Sequence, residues 1–289
     1  MKVGFIGAGK VGTAIGCYFF IKGINVAGYF SRSMSSAVQA SKLTQSMVYT
    51  SLDELAKVVD IIFVSVPDDT IKAVAQALSL LPVDWNTKVV IHLSGALTSD
   101  VLWPLAHKGA TVSSLHPMLS FGDIDTAVGG LRSTHFTLEG KGILLGIIEE
   151  LMNECGNLWT FISTENKVLY HAAACIMSNY LVTLLDTGLD ILQTAGFERE
   201  EAIQLARPLV QMTVDNVMHL GTERALTGPI SRGDLGTLEK HIDKLKIYSN
   251  NWLEIYKILG LNTVELADKA KKVDEAAVQK MKEVLSKHE

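Results

Sequence analysis

One stretch near the N-terminus constrains the fold of this 289-residue chain more than any other. Residues 2–6 are an apolar run typical of a buried strand, and Gly7, Gly9 and Gly12 follow it without a gap. The G-x-G-x-x-G spacing is informative in this context, because a helical pattern and a second strand, at residues 24–30, come next. The three glycines permit a tight turn, the approach of a pyrophosphate and close helix–strand packing, respectively. The sequence therefore predicts a dinucleotide-binding βαβ unit.

The loop and the first turn of its helix are expected to hold the phosphates. A helix N-terminus offers unpaired N–H groups and partial positive charge, and both attract anions. Every residue of this segment is a predicted cofactor contact. The set is Gly7, Ala8, Gly9, Lys10, Val11 and Gly12.

The end of the second strand predicts which dinucleotide binds. Sites that prefer NAD usually place Asp or Glu about 20 residues after the motif, where it binds the ribose 2′-hydroxyl. This chain has Ser31, Arg32 and Ser33 there, and no carboxylate. A guanidinium pairs with a phosphate through two parallel charge-assisted hydrogen bonds. We therefore predict NADP(H) rather than NAD(H), with these three residues at the 2′-phosphate.

Composition argues against several classes of function. The net charge is −5 and no basic run occurs, which argues against a nucleic-acid partner. No uninterrupted apolar stretch approaches about 18 residues, so no membrane-spanning helix and no membrane partner are expected. Hydrophobic residues make up 48% of the chain, as in a protein with a well-filled core. Three widely spaced cysteines, Cys17, Cys155 and Cys175, predict buried free thiols in a reducing cytoplasm.

Strand patterns alternate with helical patterns through the first half of the chain, which predicts a doubly wound parallel sheet. Residues 121–132 are rich in Gly and Asp and are predicted to form an irregular loop. The further strand patterns lie at residues 47–49, 58–66, 88–91, 111–115, 135–138 and 158–161.

The polar residues that follow these strands form one predicted crevice. In doubly wound sheets, ligands bind beyond the carboxyl ends of the strands. The segments there are Val66-Pro67-Asp68, Ser94-Gly95 and His116-Pro117. The first two are predicted cofactor contacts. His116 is either a substrate-binding residue or only part of a turn.

From Thr164 onward helical patterns replace strands. They cover residues 165–194, 199–220, 235–259 and 264 to the C-terminus. We therefore predict an NADP-binding domain at residues 1–163 and a helical domain for substrate binding and dimerisation at residues 164–289. The apolar surface of these helices exceeds what a helical domain of this size needs in water. Closed twofold pairing is the commonest way to cover such surface, so a homodimer is expected.

The first of these helices carries a polar stripe. At 3.6 residues per turn, Lys167, His171, Ala174 and Ser178 fall within about 60° of one another, with Asn179 beside them. The rest of the helix is apolar and expected to be buried, so the stripe suits the wall of a polar pocket, with Ser178 among its substrate contacts. Reduction of a carbonyl needs a general acid, and either cation would also stabilise the developing alkoxide. Lys167 and His171 both remain candidate donors, and the charge of the histidine is expected to depress the pKa of the lysine. Asn179 is expected to orient either the substrate carbonyl or the nicotinamide amide.

A second polar constellation lies at residues 227–234, where Gly and Pro shape a loop between helices. Arg232 suits a substrate carboxylate, and Ser231 lies beside it. Asp234 is either a substrate contact or the N-cap of the next helix. His171 and Cys175 have the spacing of two metal ligands, but no further ligands cluster near them, so no metal site is predicted.

Five motifs together resemble a known family. They match the Rossmann-like oxidoreductases with an uncharacterised helical C-terminal domain, a group similar to ketopantoate reductases, pyrroline-carboxylate reductases and β-hydroxyacid dehydrogenases. The resemblance implies an α/β fold, with a Rossmann doubly wound parallel sheet followed by an all-α C-terminal domain. The motifs are Gly7-x-Gly9-x-x-Gly12, His92-Leu93-Ser94-Gly95, Ser114-Leu115-His116-Pro117, Tyr170-His171-Ala172-Ala173 and Thr227 to Asp234.

The resemblance implies NADPH-dependent reduction of a small 2-keto acid. Some members of the group resemble an alternative ketopantoate reductase of bacterial pantothenate synthesis, so reduction of 2-dehydropantoate to pantoate is the first candidate. Ketopantoate reductases place Asn four residues after their catalytic lysine, where this chain has His171, so the donor stays open. The alternatives are an imine or 3-hydroxy-acid oxidoreductase and a non-catalytic NADP(H) sensor. The N-terminal half also resembles reductases that use a deazaflavin, which leaves the hydride partner open.

Overall fold

The fold was analysed in a computed structural model, which describes residues 1–287. The chain separates into two compact units, Met1–Tyr180 and a second unit from Leu181 onward. All strands of the described residues lie in the first unit, and the second is helical. The predicted sheet followed by a helical region is confirmed. The first unit also contains residues 164–180, which carry the whole predicted polar stripe.

Among residues 1–287, eight strands form one sheet in the order β3-β2-β1-β4-β5-β6-β7-β8. The pairs from β3 to β6 are parallel, β7 is antiparallel to β6, and β8 is parallel to β7. The strand order reverses between β1 and β4, and such a switch point is where ligands bind. The strands are β1 Lys2–Ile6, β2 Asn25–Phe30, β3 Met47–Val48, β4 Ile61–Val64, β5 Val89–His92, β6 Thr111–Pro117, β7 Phe136–Lys141 and β8 Trp159–Phe161.

Helices fill both faces of the sheet and make up the second unit. Those of the first unit are α1 Lys10–Ile21, α2 Met34–Thr44, α3 Leu52–Val58, α4 Asp68–Ser79, α5 Trp103–Ala106, α6 Ile124–Leu131, α7 Leu145–Cys155 and α8 Lys167–Met177. The later ones are α9 Asn179–Thr194, α10 Arg199–Leu220, α11 Thr222–Ala225, α12 Leu235–Tyr248, α13 Asn250–Lys269 and α14 Glu275–Ser286.

The central strands are buried on both faces, as their continuous apolar runs predict. Along β4, Phe63 packs on one side of the sheet and Ile62 on the other. The ring of Phe63 stacks on Phe5 at 5.2 Å and meets the edge of Phe19, from α1, at 5.4 Å. These aromatic contacts fix α1, and therefore the glycine-rich loop before it, against the sheet.

The prediction of an irregular loop at residues 121–132 is wrong, because α6 lies there. Asp123 caps this helix, and its carboxylate accepts hydrogen bonds from the backbone N–H groups of Asp125 and Thr126 at 3.4 and 2.9 Å. Capping of this kind stabilises a helix start by about 1 kcal/mol. It outweighs the low helix propensity of Gly129 and Gly130, which lie near the helix end.

Three of the long helical patterns are divided in the structure. The pattern at 165–194 breaks at Ser178, between α8 and α9, and the pattern at 235–259 breaks at Ser249. The hydroxyl of Ser249 accepts a hydrogen bond from the N–H of Trp252 and so begins a new helix. A turn before Asp274, the N-cap of α14, interrupts the last pattern.

The apolar side chains of α8 and α9 are not buried within the single chain, contrary to the prediction. Leu169 is 72% exposed and Val182 is 67% exposed. The segment Thr164–Thr194 has a mean hydropathy of 1.5 over its most apolar window, enough by length and composition to cross a membrane. Polar residues interrupt this segment, so it contains no long uninterrupted apolar run. One such segment is weak evidence for a membrane span, because helices of soluble proteins also meet this criterion.

Candidate active site

The glycine-rich loop borders a cavity of about 270 Å³ at the switch point of the sheet. Gly7 has φ +105°, and a Cβ there would lie 2.5 Å from the carbonyl oxygen of Ser65. A Cβ on Gly12 would overlap the side chain of the same serine, whereas one on Gly9 would meet no atom within 4 Å. The first and third glycines are therefore required by the fold. The second faces open space, as expected where a pyrophosphate approaches.

Two of the three predicted 2′-phosphate residues line this cavity, and Ser33 does not. Ser31 and Arg32 line it, together with Ser65, Val66 and Pro67. The guanidinium is exposed, and no carboxylate of residues 1–287 forms an ion pair with it.

The remaining predicted cofactor contacts have local partners. The Ser33 hydroxyl caps α2 by accepting a hydrogen bond from the N–H of Ser36 at 3.3 Å. Lys10, at the start of α1, donates from Nζ to the carbonyl of Gly122 at 2.6 Å. Val11 packs against the core beside it.

The loop after β5 is held by the side chain of Ser94. Its hydroxyl donates to Asp68 Oδ2 at 2.7 Å and accepts from the N–H of Leu97 at 3.0 Å. His92, which is fully buried, supports the loop from below, and its Nδ1 accepts the N–H of Ser94 at 3.2 Å. Its Nε2 therefore donates to the carbonyl of Thr98 at 3.1 Å. Burial lowers the pKa of His92 to about 3, so the ring is neutral.

Two histidines meet at Gly95. The rings of His116 and His171 lie 6.1 Å apart at an interplanar angle of 85°. A Cβ on Gly95 would lie 2.8 Å from His116 Nε2 and 2.6 Å from His171 Nδ1. A larger residue at this position would force one or both rings to shift, and both ring nitrogens lie close to it.

Each histidine has a polar partner behind it. His116 Nδ1 is hydrogen-bonded to the hydroxyl of Tyr170 at 2.8 Å, and His171 Nε2 lies 3.6 Å from Cys175 Sγ. His171 Nδ1 is buried and lacks a hydrogen-bond partner among the described residues. Native proteins rarely leave a buried polar atom unpaired, so this nitrogen keeps an open hydrogen-bonding position. Burial, with smaller contributions from Lys167 and His171, lowers the pKa of His116 to about 4.

Lys167 is buried against the sheet and forms no hydrogen bond with His116 or His171. The residue is fully buried, and its Nζ donates to the Ser114 hydroxyl at 2.5 Å. Burial lowers the pKa of Lys167 to about 8, against the opposing influence of Glu139 and Asp68. The depressed lysine pKa agrees in direction with the expectation from sequence. Its cause is burial, and not the charge of His171.

The other predicted site residues lie apart from this cluster or in the second unit. Ser178 and Asn179 are exposed at the break between α8 and α9. In the second unit, the Ser231 hydroxyl donates to the carbonyl of Gly228 at 2.8 Å, and Arg232 is exposed. Asp234 caps α12, and its two carboxylate oxygens accept from Thr237 N–H and Oγ1. The substrate roles of these residues stay predictions.

Sequence reasoning missed four residues of the cluster: His92, Ser114, Glu139 and Tyr170. Three of them lie inside the motifs that carry the family resemblance, so the motifs were a usable signal. Glu139 lies in none, and no sequence pattern indicated it. Cys175, predicted to be buried, is only partly so, whereas Cys17 and Cys155 are buried, and all three thiols are free.

The buried charge of Lys167 predicts a pH dependence of stability. The folded chain releases this proton near pH 8 and the unfolded chain near pH 10.5. Between these values the unfolded state binds more protons, so stability rises with pH, by up to roughly 3 kcal/mol. Lys167→Met should abolish this rise, which urea unfolding at a series of pH values measures. Lys240→Met, on exposed α12 surface, is the control. A wild-type and a Lys167→Met curve that run parallel from pH 7.5 to 10.5 would contradict the assignment.

The sequence matches two domain families. A Rossmann-like domain covers residues 1–117, and the domain of unknown function DUF2520 covers residues 134–263. Comparison with curated proteins gives no match.

Solved structures with the same fold cover almost the whole chain. Protein TM1727 from Thermotoga maritima is 28% identical, with a TM-score of 0.67 over 97% of this chain and 98% of that one. A Plasmodium falciparum pyrroline carboxylate reductase with NADP bound is 16% identical, with a TM-score of 0.60 over 99% and 98%. A reductive aminase from Aspergillus terreus, in complex with NADPH and ethyl-5-oxohexanoate, is 16% identical, with a TM-score of 0.60 over 98% and 92%. The chain therefore combines a Rossmann-like domain at residues 1–117 with a DUF2520 domain at residues 134–263.

Proposed function

We propose that this protein is an NADPH-dependent reductase of a small 2-keto acid, with 2-dehydropantoate, which it would reduce to pantoate, as the first candidate. The observation that carries the proposal is the convergence of His116 Nε2 and His171 Nδ1 on Gly95. These two ring nitrogens lie beside a glycine that follows β5, near the switch point of the sheet. Such a pair of polar atoms suits a reacting carbonyl group. A protein that only senses NADP(H) needs no such pair.

The cavity at the glycine-rich loop supports NADP(H) as the cofactor. Gly9 leaves room for the pyrophosphate, and Arg32, which lines the same cavity, offers a guanidinium without an ion-pair partner among residues 1–287. These residues fit NADP(H), because an exposed arginine suits its 2′-phosphate. Structural neighbours that hold NADP or NADPH on the same fold agree with this proposal.

Arg32→Ala should weaken binding of NADPH but not of NADH. Loss of a bidentate phosphate contact costs about 2 kcal/mol, or roughly 30-fold in affinity. Fluorescence titration of both cofactors measures the ratio of their dissociation constants. Arg207→Ala, an exposed arginine of α10, is the control and should change neither constant. An unchanged ratio in Arg32→Ala would refute the assignment of the 2′-phosphate site.

His171 is the proposed proton donor. NADPH, when bound, supplies the hydride to the carbonyl carbon, and the developing alkoxide needs a proton. His171 offers the buried, unpartnered Nδ1, with the thiol of Cys175 behind the opposite ring nitrogen. Lys167 is fully buried, with its Nζ donating to the Ser114 hydroxyl, and contributes its positive charge to the site. Asn179 and Arg232, with Ser231, are proposed to orient the substrate oxygen and its carboxylate.

Variants of the helix separate the two candidate donors. General acid catalysis typically raises a reaction rate 10²–10⁴-fold. His171→Ala should therefore lower kcat by about this factor while NADPH still binds. Lys167→Met retains His171, the proposed donor, so its kcat should fall by a smaller factor. Arg232→Ala should act mainly on KM, as the loss of a contact made equally in ground and transition states does. His219→Ala, on exposed α10 surface, is the control. Near-normal kcat in His171→Ala would exclude it as the donor.

A cyclic imine or another imine is the second candidate substrate. The observation that favours it is the fold shared with a pyrroline carboxylate reductase and a reductive aminase. The same pair of histidines suits either reaction, because both end with protonation beside the carbon that receives hydride. NADPH oxidation in the presence of 2-keto acids or cyclic imines, and NADP⁺ reduction in the presence of 3-hydroxy acids, identify the class. A cytoplasmic location remains part of the proposal.

A second copy of the chain is the proposed cover for the exposed apolar helices. Large apolar side chains are exposed along three consecutive helices, for example Leu169 on α8, Val182 on α9 and Leu209 on α10. The segment Thr164–Thr194 carries few charges that could recognise a polar partner, and identical apolar faces pair in closed twofold dimers.

Light scattering at micromolar concentration should therefore give about twice the 31.4 kDa chain mass. Leu209→Lys should shift the protein toward the monomer, because it places a charge in the apolar contact. Lys280→Leu, on the exposed surface of α14, is the control. A monomeric wild-type protein, or one that sediments with lipid vesicles, would contradict the dimer.

A further inference from the structure

Glu139 is a buried carboxylate that the proposed reaction does not use directly. It lies on β7, is 1% exposed, and accepts three hydrogen bonds. Ser99 donates its N–H to Oε2 at 2.7 Å and its hydroxyl to Oε1 at 2.9 Å. The hydroxyl of Thr164 donates to Oε1 at 3.1 Å. A group with this many partners joins parts of the chain that are distant in sequence.

The partners of Glu139 lie at the bases of the two segments that form the candidate site. Ser99 follows directly on Thr98, which accepts the hydrogen bond from His92 and so ends the loop that contains Gly95. Thr164 begins the 3-10 turn that leads into α8 at Lys167. One carboxylate therefore fixes both the loop under Gly95 and the start of the helix that carries His171.

Glu139 is also placed to balance the charge of Lys167. It is paired in the β6–β7 ladder with Ser114, whose hydroxyl accepts the hydrogen bond from Lys167 Nζ. An isolated buried ammonium is costly, because it loses its hydration without compensation.

The titratable groups that face this lysine come from four elements. Two are carboxylates, Glu139 on β7 and Asp68 on α4, and both favour the charged lysine. The other two are His92 on β5 and His116 on β6, whose pKa values of about 3 and about 4 leave them neutral. Glu139 is the buried carboxylate of the pair, whereas Asp68 is exposed.

We propose that Glu139 is a positioning residue, which holds the Gly95 loop and the start of α8 together and balances the buried charge of Lys167. Its catalytic consequence rests on the proposed function. Its electrostatic role does not, and stability measurements detect that role without any substrate.

The first test compares unfolding free energies with and without the lysine. With Glu139 in place, the unfolding free energy of the protein with Lys167, relative to that of Lys167→Met, starts to rise near pH 8, the folded pKa of Lys167. Glu139→Gln removes the opposing charge, so the same difference should start to rise at least about one pH unit lower. Glu139→Asp keeps the charge and should leave the onset near the wild-type value. If the role of Glu139 were purely structural, Glu139→Gln would lower stability equally at all pH values. The pH at which the difference starts to rise would then stay unchanged, and that result would overturn the proposal.

The second test uses the enzyme. Glu139→Gln should lower kcat at least about tenfold, and Glu139→Asp should restore part of it, because general acid catalysis depends on geometry. The KM for NADPH should change by less than about threefold, since Glu139 does not line the cavity at the glycine-rich loop, where the phosphates are proposed to bind. An equal loss in Gln and Asp variants, or a loss only in cofactor binding, would count against positioning. If no substrate is found, the proposed function fails, and the stability test alone still decides the role of Glu139.

Discussion

The hydrogen bond from Lys167 to Ser114 joins the helical part of the first unit to the sheet, and the candidate site depends on it. A lysine placed in a protein interior is stable there only when other groups compensate its charge. Its position at the first turn of α8 fixes where the next turn begins, and that turn carries Tyr170 and His171. The two histidines face Gly95 because the helix is anchored one turn earlier.

The same unit contains the two features that a nicotinamide enzyme needs. One is the glycine-rich loop, in which Gly7 and Gly12 satisfy the backbone and Gly9 leaves space. The other is the polar cluster at the end of β5 and β6, where the pKa values of His92 and His116 are both lowered by burial. Because the Rossmann-like fold supports many reactions, the assignment of chemistry depends on the second feature and not on the first.

Sequence reasoning predicted those parts of the molecule that follow local rules. The strand–glycine–helix motif, the buried strands and the order of sheet and helices depend on spacing and hydrophobic period. It failed where one side chain overrides the pattern, as at the Asp123 cap of α6 and the Ser249 cap of α13. It also placed Lys167 on a pocket wall, because helical periodicity locates a face without showing what covers it. Glu139 could not be predicted, since its role arises from contacts 25 to 40 residues away in sequence.

The central proposal is that the nicotinamide end of the bound cofactor lies beside Gly95, a predicted cofactor contact, next to His116 and His171. Nitrogen-15 NMR of histidine-labelled protein during titration with NADP⁺ tests it most directly, because the ring nitrogens report their own hydrogen bonds. The account predicts that the signals of His116 Nε2 and His171 Nδ1 shift on saturation, while those of the exposed His219 and His241 stay in place. Saturable binding of NADP⁺ that leaves both the His116 and the His171 signals unchanged would contradict it.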